Sequence, residues 1–171
     1  MIGLGGLGQY GLKLLRLMSG CEIIVVDIND DKLALARKEG AAHALSAREP
    51  DLAARVSELT RGAGVCAAFD FVGSDQTLAL ALSSARAMSK VTQVGLAGGT
   101  ARLKVLDNTR FEVAFEATLW GTLKELREVV ALAESGRLAL EETHFAPLER
   151  INDVRDQLKR GKVTGRIVVT P

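Results

Sequence analysis

The residues with the clearest chemical purpose stand at the start of the chain, in Gly3-Leu4-Gly5-Gly6-Leu7-Gly8. Their spacing is G-x-G-x-x-G, in which Gly3 makes a tight strand-to-helix turn, Gly5 lets the backbone approach a pyrophosphate and Gly8 lets the helix lie close to the sheet. The free N–H groups and positive end of a helix starting near Gly6 would hold the phosphates, so Gly6 and Leu7 join the candidate site. A tight turn that binds nothing would use the same glycines. What separates the two readings is the β-branched run that follows, EIIVV at residues 22–26, and the Asp27 that ends it, 24 residues after Gly3. A carboxylate there is positioned to accept hydrogen bonds from the hydroxyls of an adenosine ribose. Taken alone, Asp27 has a plainer explanation as an acid near a helix N-terminus. Paired with the glycine turn, it favours binding. A 2′-phosphate on that ribose would face Asp27 with Asp30 and Asp31 close by, and neither Ile28 nor Asn29 supplies an arginine, so NAD is expected rather than NADP.

The rest of the sequence offers little to activate a substrate. His43 and His144 lie far apart, and H-E-x-x-H, C-x-x-C and the nucleophile elbow are all missing. Tyr10 is the sole tyrosine and sits beside the glycine turn, which excludes a Tyr-x-x-x-Lys pair. Cys21 and Cys66 are 45 apart and match no zinc spacing, which suits free thiols in a reducing cytosol. Glu141-Glu142 reads as a solvated loop. The expected catalytic residues and metal ligands are therefore none.

Elements that could position the glycine turn follow from hydrophobic period. Strand-like runs lie at residues 22–26, 66–72, 90–94 and 165–169. Between them, Leu7, Tyr10, Leu14, Leu17 and Met18 mark one face of a first helix. Asn29 caps a second, with Leu33 and Ala36 inward and Gly40 terminating it. Pro50 suits the first turn of a third, carrying Leu52, Val56 and Leu59. Ser74 caps a fourth with Leu78, Ala81, Leu82 and Ala85. Leu123, Leu126, Val129, Val130 and Ala133 form a further stripe ending near Gly136, and Ile151, Val154 and Leu158 form the last, stopped by Gly161. Strands separated by helices of this length need right-handed crossovers, which make a parallel sheet covered on both faces. The expected fold is a doubly wound α/β domain, a three-layer Rossmann fold, with its core at 1–122 and a C-terminal return at 123–171. Residues 98–115 carry the weakest signal, with turns at Gly98-Gly99-Thr100 and Asp107-Asn108-Thr109 around a short edge strand at 102–106.

Composition agrees with one such domain. The chain has 171 residues, 47% hydrophobic and 25% charged, with 22 Lys+Arg against 21 Asp+Glu and a formal charge of +1. That is enough for a sizeable core, argues against disorder, and makes nucleic acid or an anionic membrane an unsuitable main partner. Met1-Ile2-Gly3 has no signal-peptide character and no apolar run approaches a membrane span, so a cytoplasmic protein is expected. Met1 and Ile2 are too few for the central first strand of such a fold, whose absence would leave the fourth strand unpaired on one side. Either that strand is trimmed or the natural beginning lies upstream.

Several segments in order resemble the medium-chain, zinc-dependent alcohol dehydrogenase family, of the bacterial secondary-alcohol type, over essentially the whole chain. They are Val26-Asp27-Ile28-Asn29-Asp30-Asp31-Lys32 with ALARKEG at 34–40 and Ala41-Ala42, Phe69-Asp70-Phe71-Val72-Gly73, Val94-Gly95-Leu96, Trp120-Gly121-Thr122 with Glu125-Leu126, and GKVTGRIVV at 161–169. The resemblance implies that Gly6 and Leu7 N–H groups bind pyrophosphate and that Asp27 and Lys32 hold the adenosine ribose. It places Val72 and Gly73 under the nicotinamide ribose, Gly95 and Leu96 beside the nicotinamide, the backbone from Leu119 through Trp120 to Gly121 at the carboxamide, and Arg166 on the pyrophosphate. Lys32 and Arg166 would otherwise read as surface cations. The family's N-terminal catalytic domain, with its zinc ligands, proton relay and most of the substrate pocket, is not in these residues. The resemblance thus implies an NAD(H)-binding domain of an enzyme acting on a small alcohol or carbonyl compound, inactive alone, with zinc only in the absent domain. It also implies a homo-oligomer joined through an edge strand, at 102–106 or near 117–119. Two other readings stand beside it. A non-catalytic NAD-binding sensor, like the regulatory domains of potassium channels and transporters, shares the glycine turn and the acid but not the segments at 69–73 and 120–122. A methyltransferase fits poorly because Gly8 restores the dinucleotide pattern.

Overall fold

The computed structural model describes residues 1–101, 112–163 and 165–171. The strand expected at 102–106 and the turn at 107–109 lie outside the described residues. The chain divides into two compact units, Met1–Thr122 and Leu123–Pro171.

The first unit alternates helix and strand in the order α1 (Gly6–Met18), β1 (Ile24–Asp27), α2 (Asp30–Lys38), β2 (His43–Ser46), α3 (Leu52–Leu59), β3 (Val65–Asp70), α4 (Asp75–Ser84), β4 (Ala85–Gln93) and β5 (Ala114–Ala117). Strands β1 and β2 pair in parallel, as do β3 with β4 and β4 with β5. Ile2 joins the two groups by bridging in parallel to Val26 on one side and to Asp70 on the other. Neighbours therefore run β2, β1, Ile2, β3, β4, β5, which is the dinucleotide-binding strand order with Ile2 at the place of the first strand.

Successive residues of a strand face opposite sides of a sheet, and Val25 and Val26 of β1 enter different core clusters. Val25 packs with Leu4, Leu12, Leu33 and Ala36, from the glycine turn, α1 and α2. Val26 packs with Ile2, Val56, Ala81, Leu82 and Val91, so α3 and α4 cover the other face. Helix ends follow their local chemistry. The Asn29 side chain accepts from the N–H groups of Asp31 and Lys32, and Ser74 and Thr77 form a reciprocal capping box.

Three expectations need correction. In α1 the buried residues are Gly8, Gln9 and Leu12, with Leu15 packed beside them, whereas Leu7 and Met18 are exposed. The approach of Gly8 to the turn sets the helix rotation, and Leu12 and Leu15 follow Gly8 at helical intervals of four and three. Ala85 is not in the fourth helix, because its backbone is extended and opens β4. Pro50 precedes the third helix, which is capped by the Asp51 side chain accepting from Ala54 N–H. On the β5 side, Glu116 takes Lys90 Nζ at 2.8 Å and Thr92 Oγ1 at 3.0 Å, and these partners hold its carboxyl below the usual range.

The second unit contains α5 (Leu123–Glu134), β6 (Thr143–Pro147), a 3-10 turn (Leu148–Arg150), α6 (Ile151–Lys159) and β7 (Arg166–Thr170). Strands β6 and β7 are parallel, with Thr143 opposite Arg166 and α6 in the crossover. His144 lies in β6, with Nε2 3.8 Å from Glu142.

The Met1 amino group is enclosed between β1 and β3 and donates to Ile24 O at 2.7 Å. Burial pushes its pKa down to about 6 from an ordinary 8.0, against the opposing pull of Asp70. The unfolded 171-residue chain thus binds more protons than the folded one between those values. Its stability should be lowest below pH 6 and rise by roughly 2–3 kcal/mol through pH 8. Urea denaturation at pH 5.5 and 8.5 measures this, and N-terminal acetylation should remove the rise; an equal slope in the acetylated chain would assign it to another group.

Candidate functional site

The C-terminal ends of the central strands converge on the glycine turn. Gly3 adopts φ +89°, and a side chain there would meet Val72 Cγ2 at 2.6 Å. A Cβ on Gly8 would overlap Gly3 O, and one on Gly95 would overlap the backbone of Phe71 and Val72. Gly73 has φ +76° and its Cβ would overlap Gly95 O. These four glycines therefore have reasons within the fold itself. Gly5 does not: its backbone is extended at φ −70°, it is exposed, and a Cβ there would meet nothing within 4 Å. Open space above a bare backbone is what an approaching pyrophosphate needs.

Helix α1 begins at that point without help. Gly5 gives no side-chain cap, no acid stands in the first turn, and the first backbone bond to the turn is Gln9 N–H to Gly5 O at 3.0 Å. The N–H groups of Gly6, Leu7 and Gly8 precede it and are the ones a helix start leaves for an outside acceptor. Leu7 is exposed beside them.

Asp27 is buried at the end of β1 and does two tasks that sequence alone did not show. Its Oδ2 accepts from Leu4 N–H at 2.6 Å and its Oδ1 from Asn29 N–H at 2.9 Å. The carboxylate thereby ties the glycine turn to the start of α2. Each oxygen keeps a lone pair for a further donor. Lys32, in the first turn of α2, is half-buried, and its N–H is taken by Asn29. Arg48, which the sequence reading did not consider, comes within 3.7 Å of Asp30 with both side chains exposed.

Asp70 is the other residue that spacing did not reveal. It is fully buried at the end of β3, and its Oδ1 accepts from Val72 N–H at 2.9 Å and Gly73 N–H at 3.0 Å. An aspartate two and three residues before the groups it binds is a turn former, a signal present in Asp70-Phe71-Val72-Gly73. It presents Val72 and Gly73 just past the strand end. Gly95 lies just past β4, with Gln93 Nε2 donating to its carbonyl at 3.0 Å. Leu96, Leu119 and Trp120 are exposed, Trp120 at 89% and with φ +65°. Thr118 N–H donates to Gln93 O at 2.9 Å, which holds the chain leading to Leu119 beside the end of β4. Gly3, Gly5, Gly6, Leu7, Gly8, Asp27, Lys32, Val72, Gly73, Gly95, Leu96, Leu119 and Trp120 all belong to the first unit. Arg166 belongs to the second, where it opens β7 and its N–H donates to Glu142 O at 2.9 Å.

Among the described residues, no three His, Cys, Asp or Glu side chains come together as a metal site. Cys21 and Cys66 are both free. No described helix is long and apolar enough to cross a membrane.

Residues 6–135 match the family model described as "Zinc-binding dehydrogenase". An NAD-dependent alcohol dehydrogenase of Sulfolobus acidocaldarius is 34% identical over 169 residues, which are 96% of this chain and 47% of that protein. One from Sulfurisphaera tokodaii is 30% identical over 98% of this chain and 48% of that protein. Among solved structures, the alcohol dehydrogenase of Aeropyrum pernix superposes with a TM-score of 0.90 at 39% identity, over 99% of this chain and 48% of that one. The chain spans about half the length of the curated relatives it matches.

Proposed function

This chain belongs to the zinc-binding dehydrogenase family, and from that premise we propose that it is the NAD(H)-binding part of an oxidoreductase working between an alcohol and a carbonyl compound. The observation that carries the reading is the bare, unobstructed Gly5 at an uncapped helix start, next to Leu4, whose N–H the buried Asp27 accepts. The relatives' names support the cofactor and the substrate class, and they favour a dehydrogenase over a sensor.

In this reading residues 1–122 form the binding core and 123–171 return toward a catalytic domain. Gly6 and Leu7 N–H groups hold the pyrophosphate. Asp27 and Lys32 hold the adenosine ribose. Val72 and Gly73 support the second ribose, and Gly95, Leu96, Leu119 and Trp120 border the nicotinamide. When bound, NAD supplies a ring that takes or gives a hydride at C4. This chain's task is to orient that ring; the group that polarises the substrate oxygen is not among its residues. Acting in a reducing cytoplasm would suit its two free cysteines. Assembly into a homo-oligomer would use the edge beyond β5.

Titration of the chain with NADH, followed by nicotinamide fluorescence and calorimetry, tests this. Saturable NADH binding, with NADPH weaker and no alcohol oxidation by the chain alone, is the expected result. Binding of S-adenosylmethionine in place of NADH would refute the cofactor assignment, and turnover by the isolated chain would refute the division of labour.

A further inference from the structure

Neither of the two residues after Asp27 is an arginine that could meet a ribose 2′-phosphate, but the neighbouring strand brings one to the same place. Asp27 ends β1 opposite Ser46, the last residue of β2, and Ala47 N–H donates to Asp27 O at 2.9 Å. Arg48 is the next residue. The loop that carries it is closed on itself. Arg48 N–H donates to Ser46 Oγ at 3.3 Å, while Ser46 N–H donates to Glu49 Oε1 and Glu49 N–H to Ser46 O, both at 3.0 Å. The guanidinium reaches the first turn of α2, where Nη1 stands 3.7 Å from Asp30 Oδ2.

The pair is poorly suited to bracing the fold. Its side chains are 68% and 79% exposed, and an ion pair in that much water adds little to stability. It is better suited to setting the charge beside Asp27. Asn29 already takes the N–H groups of Asp31 and Lys32, so a phosphate arriving at this helix start would draw on side chains rather than on those donors. Arg48 and Lys32 are the cations at hand. A guanidinium grips two phosphate oxygens with its planar fork, whereas an ammonium acts as a point charge.

We infer that Asp30 and Arg48 select between dinucleotides. Asp30 holds and neutralises an arginine that otherwise binds a 2′-phosphate, so its loss turns the rim of the site into one that accepts NADP(H). The assignment rests on the adenosine ribose lying at Asp27, as proposed above. Selection then has two parts. The buried Asp27 repels the phosphate from within, and Asp30 withholds its natural ligand at the surface.

The test measures NADH and NADPH dissociation constants of the 171-residue chain by calorimetry, for the parent and four variants. Asp30→Asn and Asp30→Ser should each lower the NADPH constant by roughly fivefold or more, and the gain should shrink as salt is raised from 50 to 500 mM. Adding Arg48→Gln to Asp30→Asn should abolish the gain. Asp31→Asn makes the same charge change one residue along and should give less than about twofold. An NADPH constant that does not fall in either Asp30 variant would overturn the inference. So would a gain that survives Arg48→Gln, which would assign the phosphate to Lys32, or an equal gain from Asp31→Asn, which would reduce the effect to net charge. Failure of the parent chain to bind NADH is a separate outcome: it would remove the reading of the site itself, and this inference with it.

Discussion

Replacing Gly8 by alanine is expected to cost several kcal/mol of stability, whereas replacing Gly5 by alanine should leave stability within about 0.5 kcal/mol and instead lower NADH affinity by tenfold or more. The contrast follows from where each Cβ would go. On Gly8 it would overlap the carbonyl oxygen of Gly3, a backbone atom held by the bonds that join Ile2 and Gly3 to β1 and β3. Neither the helix nor the turn can retreat without breaking the contact of Leu4 and Leu12 with Val25, so the core on that face loosens. On Gly5 the Cβ would stand in open space on an extended backbone that alanine adopts freely. A small loss in capping is offset by the stiffer unfolded chain. Only a ligand would meet that methyl group. Urea midpoints and NADH titrations of both variants measure the two effects separately. If Gly5→Ala bound NADH as the parent chain does, the pyrophosphate would not cross that glycine and the proposed binding mode would fall.

The same pair of glycines shows how far the sequence could be read. The G-x-G-x-x-G spacing, the β-branched run after it and Asp27 were visible as local chemistry, and the order of helices and strands followed from period. What stayed hidden depended on packing between distant segments. The buried face of α1 is set by the closeness of Gly8 to Gly3, so the large apolar Leu7 and Met18 misled where a small residue decided. Strands β2, β5 and β6 are four or five residues long and mix polar with apolar side chains, and they exist because a neighbour supplies their bonds. Asp70 reads as one acid within an apolar strand until its Oδ1 is seen holding Val72 and Gly73. Ile2 is the clearest instance. One residue has no strand pattern of its own, yet bridges to Val26 and Asp70 make it the hinge between the two halves of the sheet.

Asp27→Asn is expected to weaken NADH binding by tenfold or more, to narrow the preference for NADH over NADPH, and to cost about 1–2 kcal/mol of stability. The stability loss comes from inside the protein. Oδ1 must still accept from Asn29 N–H, so the amide nitrogen would face Leu4 N–H, donor against donor, where the carboxylate accepted at 2.6 Å. The affinity loss comes from the ribose side, where one of two acceptors becomes a donor and the charge is gone. The narrowed preference comes from charge alone: a 2′-phosphate no longer faces a buried carboxylate, and Arg48, paired with Asp30 at 3.7 Å, stands near the start of α2. Three readouts separate these causes: the urea midpoint, the NADH dissociation constant and the ratio of NADPH to NADH constants. Loss of stability with equal proportional losses for both cofactors would mean that Asp27 acts only by shaping the glycine turn. A change in the ratio requires the carboxylate to face the ribose itself.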